Sequence, residues 1–186
     1  MDRALGWIGE IFQTLLKLVP WLVIVPATHA GVAFVHGRRV KEWKPGLHWY
    51  WPVATTYKLL MTVRQTQRIH SKVVMTKDMQ SVIVGALVTY FVDDIVSAIS
   101  QIADLPSDVI ERSQGAILAE VSSTTLEDVQ TDRMEFNRRL TAKTSQALNG
   151  YGVCVLQVQL TEFAPSRALT LNGHLAIGQY TLWTGI

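Results

Sequence analysis

The sequence predicts an α+β fold, mainly antiparallel sheet packed with helices and preceded by an N-terminal membrane-associated helix. Period-two segments rich in Val, Thr and aromatics fill residues 28–92. Helical periodicity and capping residues take over from residue 93 to Gly150, and "GVCVLQVQL" then returns to a strand. Strands, helices and a closing strand in that order segregate the two kinds of element, as α+β chains do and parallel βαβ chains do not.

The first 26 residues read as a helix. Ala4, Ile8, Ile11, Phe12, Leu15 and Val19 recur at helical spacing, with Arg3, Glu10, Gln13 and Lys17 opposite. Trp7 and Trp21 are candidate interface anchors, and Ile8, Ile11, Phe12, Leu15 and Leu22 complete the expected lipid contact. A helix over residues 4–25 reaches roughly 30 Å, about one bilayer core. Pro20 and Pro26 oppose a continuous lipid-exposed span, and Glu10 and Lys17 favour a shallow or re-entrant placement. A core helix and a cleaved signal peptide are the competing readings; the polar residues within the apolar centre weigh against the second. The chain therefore divides into an anchor (1–26), a folded domain (27–169) and an apolar tail (170–186).

Within the domain, "THAGVAFVHGRRV" reads as a strand, a turn centred on Gly37 and a second strand. "KPGLHWYWPV" follows, a Pro-Gly turn leading into Trp49, Tyr50 and Trp51, three large aromatics that need a core, a partner or lipid to cover them. "TTYKLLMTVRQTQRIHSKVVM" has strand composition and ends in the turn "TKDMQ". In "SVIVGALVTYFV" the residues Val82, Val84, Ala86, Val88, Tyr90 and Val92 share one apolar face. The other face is mixed, which predicts a central strand covered by helices on one side. Asp93 or Asp94 caps a short helix bearing Ile95, Ala98, Ile99 and Ile102, and Ser107 caps a longer one through Val121. Thr125 and Asp128 have capping-box spacing. Thr131 opens a helix with Phe136, Leu140, Ala147 and Leu148 on one side and Arg133, Arg138, Arg139 and Lys143 on the other, stopped by Asn149-Gly150. In the last strand Cys154, Leu156, Val158 and Leu160 are expected on one face.

No catalytic or cofactor constellation is recognisable. The chain lacks a P-loop, a G-x-S-x-G elbow and a G-x-G-x-x-G loop, and its five histidines have no metal-ligand spacing. Adjacent Asp93 and Asp94 suit capping better than paired acid–base work, and Asp78 is a turn carboxylate. The single cysteine, Cys154, excludes an internal disulfide and suits a small buried hydrophobe. A net charge of +2 and no basic face interleaved with aromatics exclude nucleic acid as the expected partner. A mean hydropathy of +0.19 is high for a soluble domain with only 17% charged residues.

Five segments in order carry a family resemblance: Pro45-Gly46-Leu47-His48 with Pro52, Thr76-Lys77-Asp78, Thr125-Leu126, Gly152-Val153-Cys154-Val155 and Ala164-Pro165. From about Thr28 to Leu169 the chain resembles the SPFH (band 7) family of stomatins, prohibitins, flotillins and bacterial HflK/HflC proteins. The resemblance implies a non-catalytic, membrane-anchored domain whose copies assemble laterally into rings or cages and organise a membrane microdomain. It implies that Trp49, Tyr50 and Trp51 sit at headgroup level; an aromatic cluster beneath the sheet is the alternative, and one ring in with another out combines both.

The sequence departs from the family after the proline exit. "SRALTLNGHLAIGQYTLWTGI" is short, nearly uncharged and without heptads, where relatives continue into a coiled coil. Leu175, Ile177, Tyr180 and Trp183, with Leu171 and Leu182, are then expected to pack on a neighbouring subunit or to line the closed end or inner wall of an assembly. Arg133, Arg138, Arg139 and Lys143 are expected at a lateral interface, against Asp104, Asp108 and Glu111 of another copy. The expected partners are thus membrane lipids, many further copies of the chain and a membrane-protein client, at a bacterial or virus-encoded inner or plasma membrane. A regulatory module that grips one membrane protease, channel or transporter is the rival reading.

Overall fold

The structure, a computed structural model, describes residues 19–166. Eight strands and four helices follow one another: β1 (Trp21–Val25), β2 (His29–Val35), β3 (Arg39–Trp43), β4 (Gly46–Tyr50), β5 (Thr55–Met61), β6 (Gln65–Met75), β7 (Ser81–Val92), α1 (Ile95–Gln101), α2 (Leu105–Ser123), α3 (Leu126–Thr131), α4 (Arg133–Ala147) and β8 (Val153–Pro165). All pairings are antiparallel, in three sheets ordered β1-β4, β3-β2-β5 and β6-β7-β8. The α+β expectation holds, with three small sheets in place of one.

The main core forms where β7 presents its apolar period to the helices. Val82, Ala86, Val88 and Tyr90 are fully buried, and they meet Val109, Ile117 and Val121 of α2, Phe136 and Leu140 of α4, and Leu148. β7 is central in its sheet, as its two-sided pattern predicts. Midway along it, Gly85 leaves room for β6 and β8 to meet: Arg68 and Ser71 both donate to the Glu162 carboxylate. A Cβ at Gly85 would lie 2.9 Å from the Ser71 hydroxyl.

Helix boundaries follow local chemistry. Asp94 caps α1 by accepting from Val96 N and Ser97 N, and Thr125 caps α3 by accepting from Asp128 N. Two expected caps move. Asp104 precedes α2, with Pro106 in the first turn, and Ser107 donates to the Asp104 carboxylate instead of capping. Asp132, not Thr131, caps α4 by accepting from Glu135 N, because Thr131 still belongs to α3. The "TKD" turn is tied to the helical layer: Lys77 N donates to Thr124 O, and Asp78 accepts from Leu126 N and the Thr76 hydroxyl.

β8 corrects one facial assignment. Val155, Val158 and Leu160 are buried and Leu156 is exposed, because Tyr90 pairs with Val155 while Thr89 pairs with Gln157. The extra residue is a bulge, which reverses the face of everything before it. Cys154 is accordingly half-buried. The outer edge of β8 is closed by α4: Asn137 Oδ1 accepts from Leu160 N, Thr141 Oγ1 accepts from Val158 N, and Arg133 donates to Leu160 O.

The N-terminal expectation is corrected where the structure describes it. Trp21–Val25 is a strand paired with Gly46–Tyr50, so a helix does not run to Val25. The five residues "WLVIV" lie between Pro20 and Pro26, which break a helix, and their bulky and β-branched side chains suit a paired strand. Residues 1–18 and 167–186, with most of the expected anchor and the whole expected tail, lie outside the described residues. Among the described residues, no helix is long and apolar enough to cross a membrane.

Candidate membrane-contact surface

Strands β1 and β4 form a two-stranded ribbon whose register decides what faces outward. Trp21 pairs with Tyr50, Leu22 with Trp49, Val23 with His48, Ile24 with Leu47 and Val25 with Gly46. Alternation puts Val23, Val25, His48 and Tyr50 on one face and Leu22, Ile24, Leu47 and Trp49 on the other. The first face closes a second, smaller core on the β3-β2-β5 sheet, where Val25, Ala33 and Trp43 are buried beside Val23, Tyr50 and Tyr57.

That inner core is aromatic. Trp43 stacks on His48 with centroids 5.1 Å apart and planes 1° from parallel, and lies 6.1 Å from Tyr50 and 5.5 Å from Tyr57. Tyr50 and Tyr57 meet edge to face at 5.1 Å, a favoured aromatic geometry. His48 Nε2 donates to Lys44 O at 2.6 Å, which fixes the ring against the start of its own strand. Burial, with Tyr57 beside it, pushes the Tyr50 hydroxyl above its ordinary pKa.

The opposite face has no partner among the described residues. Leu22 is 46% exposed, Ile24 69%, Leu47 56% and Trp49 67%, and these form two apolar cross-strand pairs side by side. The turn after β4 extends the apolar surface with Trp51 and Val53, 53% and 73% exposed. That turn is tied to the β2–β3 turn, where His36 N donates to Ala54 O at 2.7 Å.

The expected lipid-contact residues thus divide. Trp21, Leu22, Trp49 and Tyr50 are brought together on one ribbon, Trp21 on the face of Tyr50 and Leu22 with Trp49 on the outer face, and Trp51 is exposed in the turn that follows. Trp7, Ile8, Ile11, Phe12 and Leu15 lie outside the described residues. Ile24, Leu47 and Val53 belong to the same surface and were missed. Period two from Leu22 and Trp49 would have found the first two, had 21–25 been read as a strand.

The expected interface residues are placed on α4 with partners of their own. Arg138 pairs with Glu135 at 2.8 Å, Arg139 reaches the buried Glu120 carboxylate at 3.6 Å, and Arg133 binds the β8 edge at 2.8 Å. Lys143 is exposed. Of the proposed acidic counterparts, Asp108 pairs with Arg112 at 2.6 Å and Asp104 holds Ser107. Leu175, Ile177, Tyr180 and Trp183 lie outside the described residues.

An open groove of about 630 Å³ runs between α4 and β8, floored by Val155, Leu156 and Val158 and walled by Met134 and Thr141. A neighbouring hollow of about 810 Å³ holds Asp93, Asp94 and Cys154. Asp94 is committed to capping α1, and Ser97 holds its carboxyl below the usual carboxylate range. Among the described residues, no three His, Cys, Asp or Glu side chains are grouped so as to hold a metal ion.

A two-lobed antiparallel fold, with an apolar ribbon on one lobe, most of the helices on the other, and α1 with Ala30 and Val32 of β2 joining the two in the main core, defines the class. The profile of the SPFH domain / Band 7 family matches residues 23–171, and the chain belongs to that family. It is 30% identical over 165 residues to an uncharacterized protein of Methanocaldococcus jannaschii, covering 88% of this chain and 82% of the relative. It is 27% identical over 156 residues to an uncharacterized protein of Archaeoglobus fulgidus, covering 84% of this chain and 63% of that one. A band 7 family protein of Acanthamoeba polyphaga mimivirus is 27% identical over 134 residues, 72% of this chain and 44% of its own length. The family match begins inside the expected anchor, two residues into β1.

Proposed function

We propose that the protein is a non-catalytic scaffold that rests on a membrane through the outer face of the β1-β4 ribbon and assembles laterally into a closed ring or cage, so organising a membrane microdomain. One observation carries the membrane contact: the cross-strand pairs Leu22–Trp49 and Ile24–Leu47 stand side by side on a face with no partner among the described residues. Apolar patches of this kind mark interaction sites, and aromatic rings are favoured at the lipid–water boundary. Family membership supports the scaffold role.

Lateral assembly engages α4 and the α4–β8 groove. Arg133, Arg138 and Arg139 already have partners within the chain, so Lys143, the exposed Met134 and the groove floor carry the contact, with Leu175, Ile177, Tyr180 and Trp183 of the tail as further apolar contacts. A head-to-tail contact of this sort joins two different surfaces and closes into a ring when its rotation allows.

The test is flotation with mixed phosphatidylcholine and phosphatidylglycerol vesicles followed by sizing of the detergent-solubilised particle. Flotation with a uniform, very large particle is the expected result. A monomer that stays with the aqueous fraction refutes the scaffold, and a small stoichiometric complex with one membrane protein supports the regulatory module instead.

A further inference from the structure

The charge of the chain is unevenly divided between its lobes. Residues 19–64, which contain the ribbon and the β3-β2-β5 sheet, carry Arg38, Arg39, Lys41, Lys44, Lys58 and Arg64 against Glu42 alone, a formal +5. Residues 65–166 carry eight basic and twelve acidic side chains, a formal −4. The net +2 of the whole chain conceals this separation.

Four of the six cations flank the apolar ribbon. Arg38 lies in the β2–β3 turn, whose His36 N is bonded to Ala54 O of the turn that carries Trp51 and Val53. Arg39 and Lys41 share a face of β3 with Trp43, the face turned toward the ribbon, and they pair with Val35 and Ala33 of β2. Lys44 is two residues ahead of β4, and its carbonyl holds His48. All four are exposed, and among the described residues none enters an ion pair. Elsewhere, four basic side chains, Arg68, Arg112, Arg138 and Arg139, are paired with carboxylates.

Cations that are unpaired and lie beside an exposed apolar face suit a surface that is itself negative and apolar beneath. We infer that the ribbon selects bilayers with anionic headgroups, Arg38, Arg39, Lys41 and Lys44 meeting headgroup phosphates while Leu22, Ile24, Leu47, Trp49 and Trp51 enter the interface. This rests on the ribbon being the membrane contact and adds the lipid class to it. The −4 lobe, repelled by the same headgroups, is then oriented away from the bilayer.

The test compares flotation of the full chain on phosphatidylcholine vesicles with and without phosphatidylglycerol. Each Lys or Arg at an anionic surface strengthens binding about fivefold. The variant carrying Arg38→Gln, Arg39→Gln, Lys41→Gln and Lys44→Gln therefore loses most of its preference for phosphatidylglycerol, while Lys72→Gln with Lys77→Gln in the other lobe keeps it. Raising salt from 0.1 M to 1 M shortens the screening length from ~10 Å to ~3 Å and erases the same preference in the unmodified chain. Equal binding to both vesicles by the unmodified chain overturns the lipid selectivity and leaves the membrane contact standing. Binding to neither overturns both. A quadruple variant that melts normally yet still prefers phosphatidylglycerol moves the selectivity to other residues and refutes this assignment.

Discussion

Two tryptophans of the same lobe stand on opposite sides of one ribbon layer, and replacing each by serine separates folding from lipid contact. Trp43 is 3% exposed and surrounded by His48, Tyr50 and Tyr57. Truncating a buried tryptophan costs about 3–5 kcal/mol, so Trp43→Ser lowers the melting temperature steeply. Trp49 is 67% exposed. A tryptophan offers about 200 Å² of surface, so some two-thirds of it remains for a membrane to cover. At ~25 cal/mol per Å² that is about 3 kcal/mol, roughly two orders of magnitude in vesicle partitioning if the whole ring is covered. Exposed substitutions change stability by about 0.5 kcal/mol or less, so Trp49→Ser melts like the unmodified chain. Thermal unfolding and vesicle flotation, run on both variants, read the two effects. If Trp49→Ser floats as well as the unmodified chain, or melts as early as Trp43→Ser, the ribbon is not the lipid contact.

Gly152 has φ +70° and a built Cβ there lies 2.0 Å from Asp94 O, so Gly152→Ala adds a backbone clash to the ~1–2 kcal/mol left-handed penalty. Gly115 on the exposed side of α2 has open space around it, and Gly115→Ala raises stability by about 1 kcal/mol; urea midpoints rank the two. Asn137→Ala strips the acceptor from Leu160 N and costs about 1–3 kcal/mol in the same titration. The Ser97 hydroxyl, and then backbone N–H groups of the first turn, hold the Asp94 carboxyl below its ordinary pKa. A lowered folded value stabilises the fold above the ordinary carboxylate range, about pH 4, and this is lost as pH falls through the folded value. Asp94→Asn therefore melts earlier at pH 7 and shows a shallower loss of melting temperature between neutral and acid pH.

The main core was legible because β7 repeats its apolar side chains with period two and the helices cap themselves with Asp94 and Thr125. Long-range decisions were not. Nothing local in "GVCVLQV" announces that Leu156 is a bulge residue; the shift exists because Thr89 and Tyr90 pair with Gln157 and Val155. Trp21–Val25 failed for a related reason. A short apolar run has no decisive period, and only Gly46–Tyr50, more than twenty residues away, makes it a strand. Trp49 and Tyr50 alternate as strand residues must, so Tyr50 goes in and Trp49 goes out, while Trp51 is exposed in the turn beyond the strand. The charge division was hidden by a near-neutral total and became visible once the fold gathered the ribbon and the β3-β2-β5 sheet within residues 19–64.

The ribbon's dependence on its surroundings follows from its size. Two strands of five residues are marginal in water, where sheets usually need a third strand or a packed face. Here one face is packed, on a core of three fully buried residues and a ring of aromatics, while the other leaves four large apolar side chains in solvent. Any surface that covers the second face binds only the folded ribbon and so stabilises it by mass action. The larger core of β7 and the helices does not share that dependence, since its apolar side chains are already enclosed. A domain built this way keeps its larger core closed in water and leaves the final consolidation of its β1-β4 ribbon to whatever surface covers the exposed face.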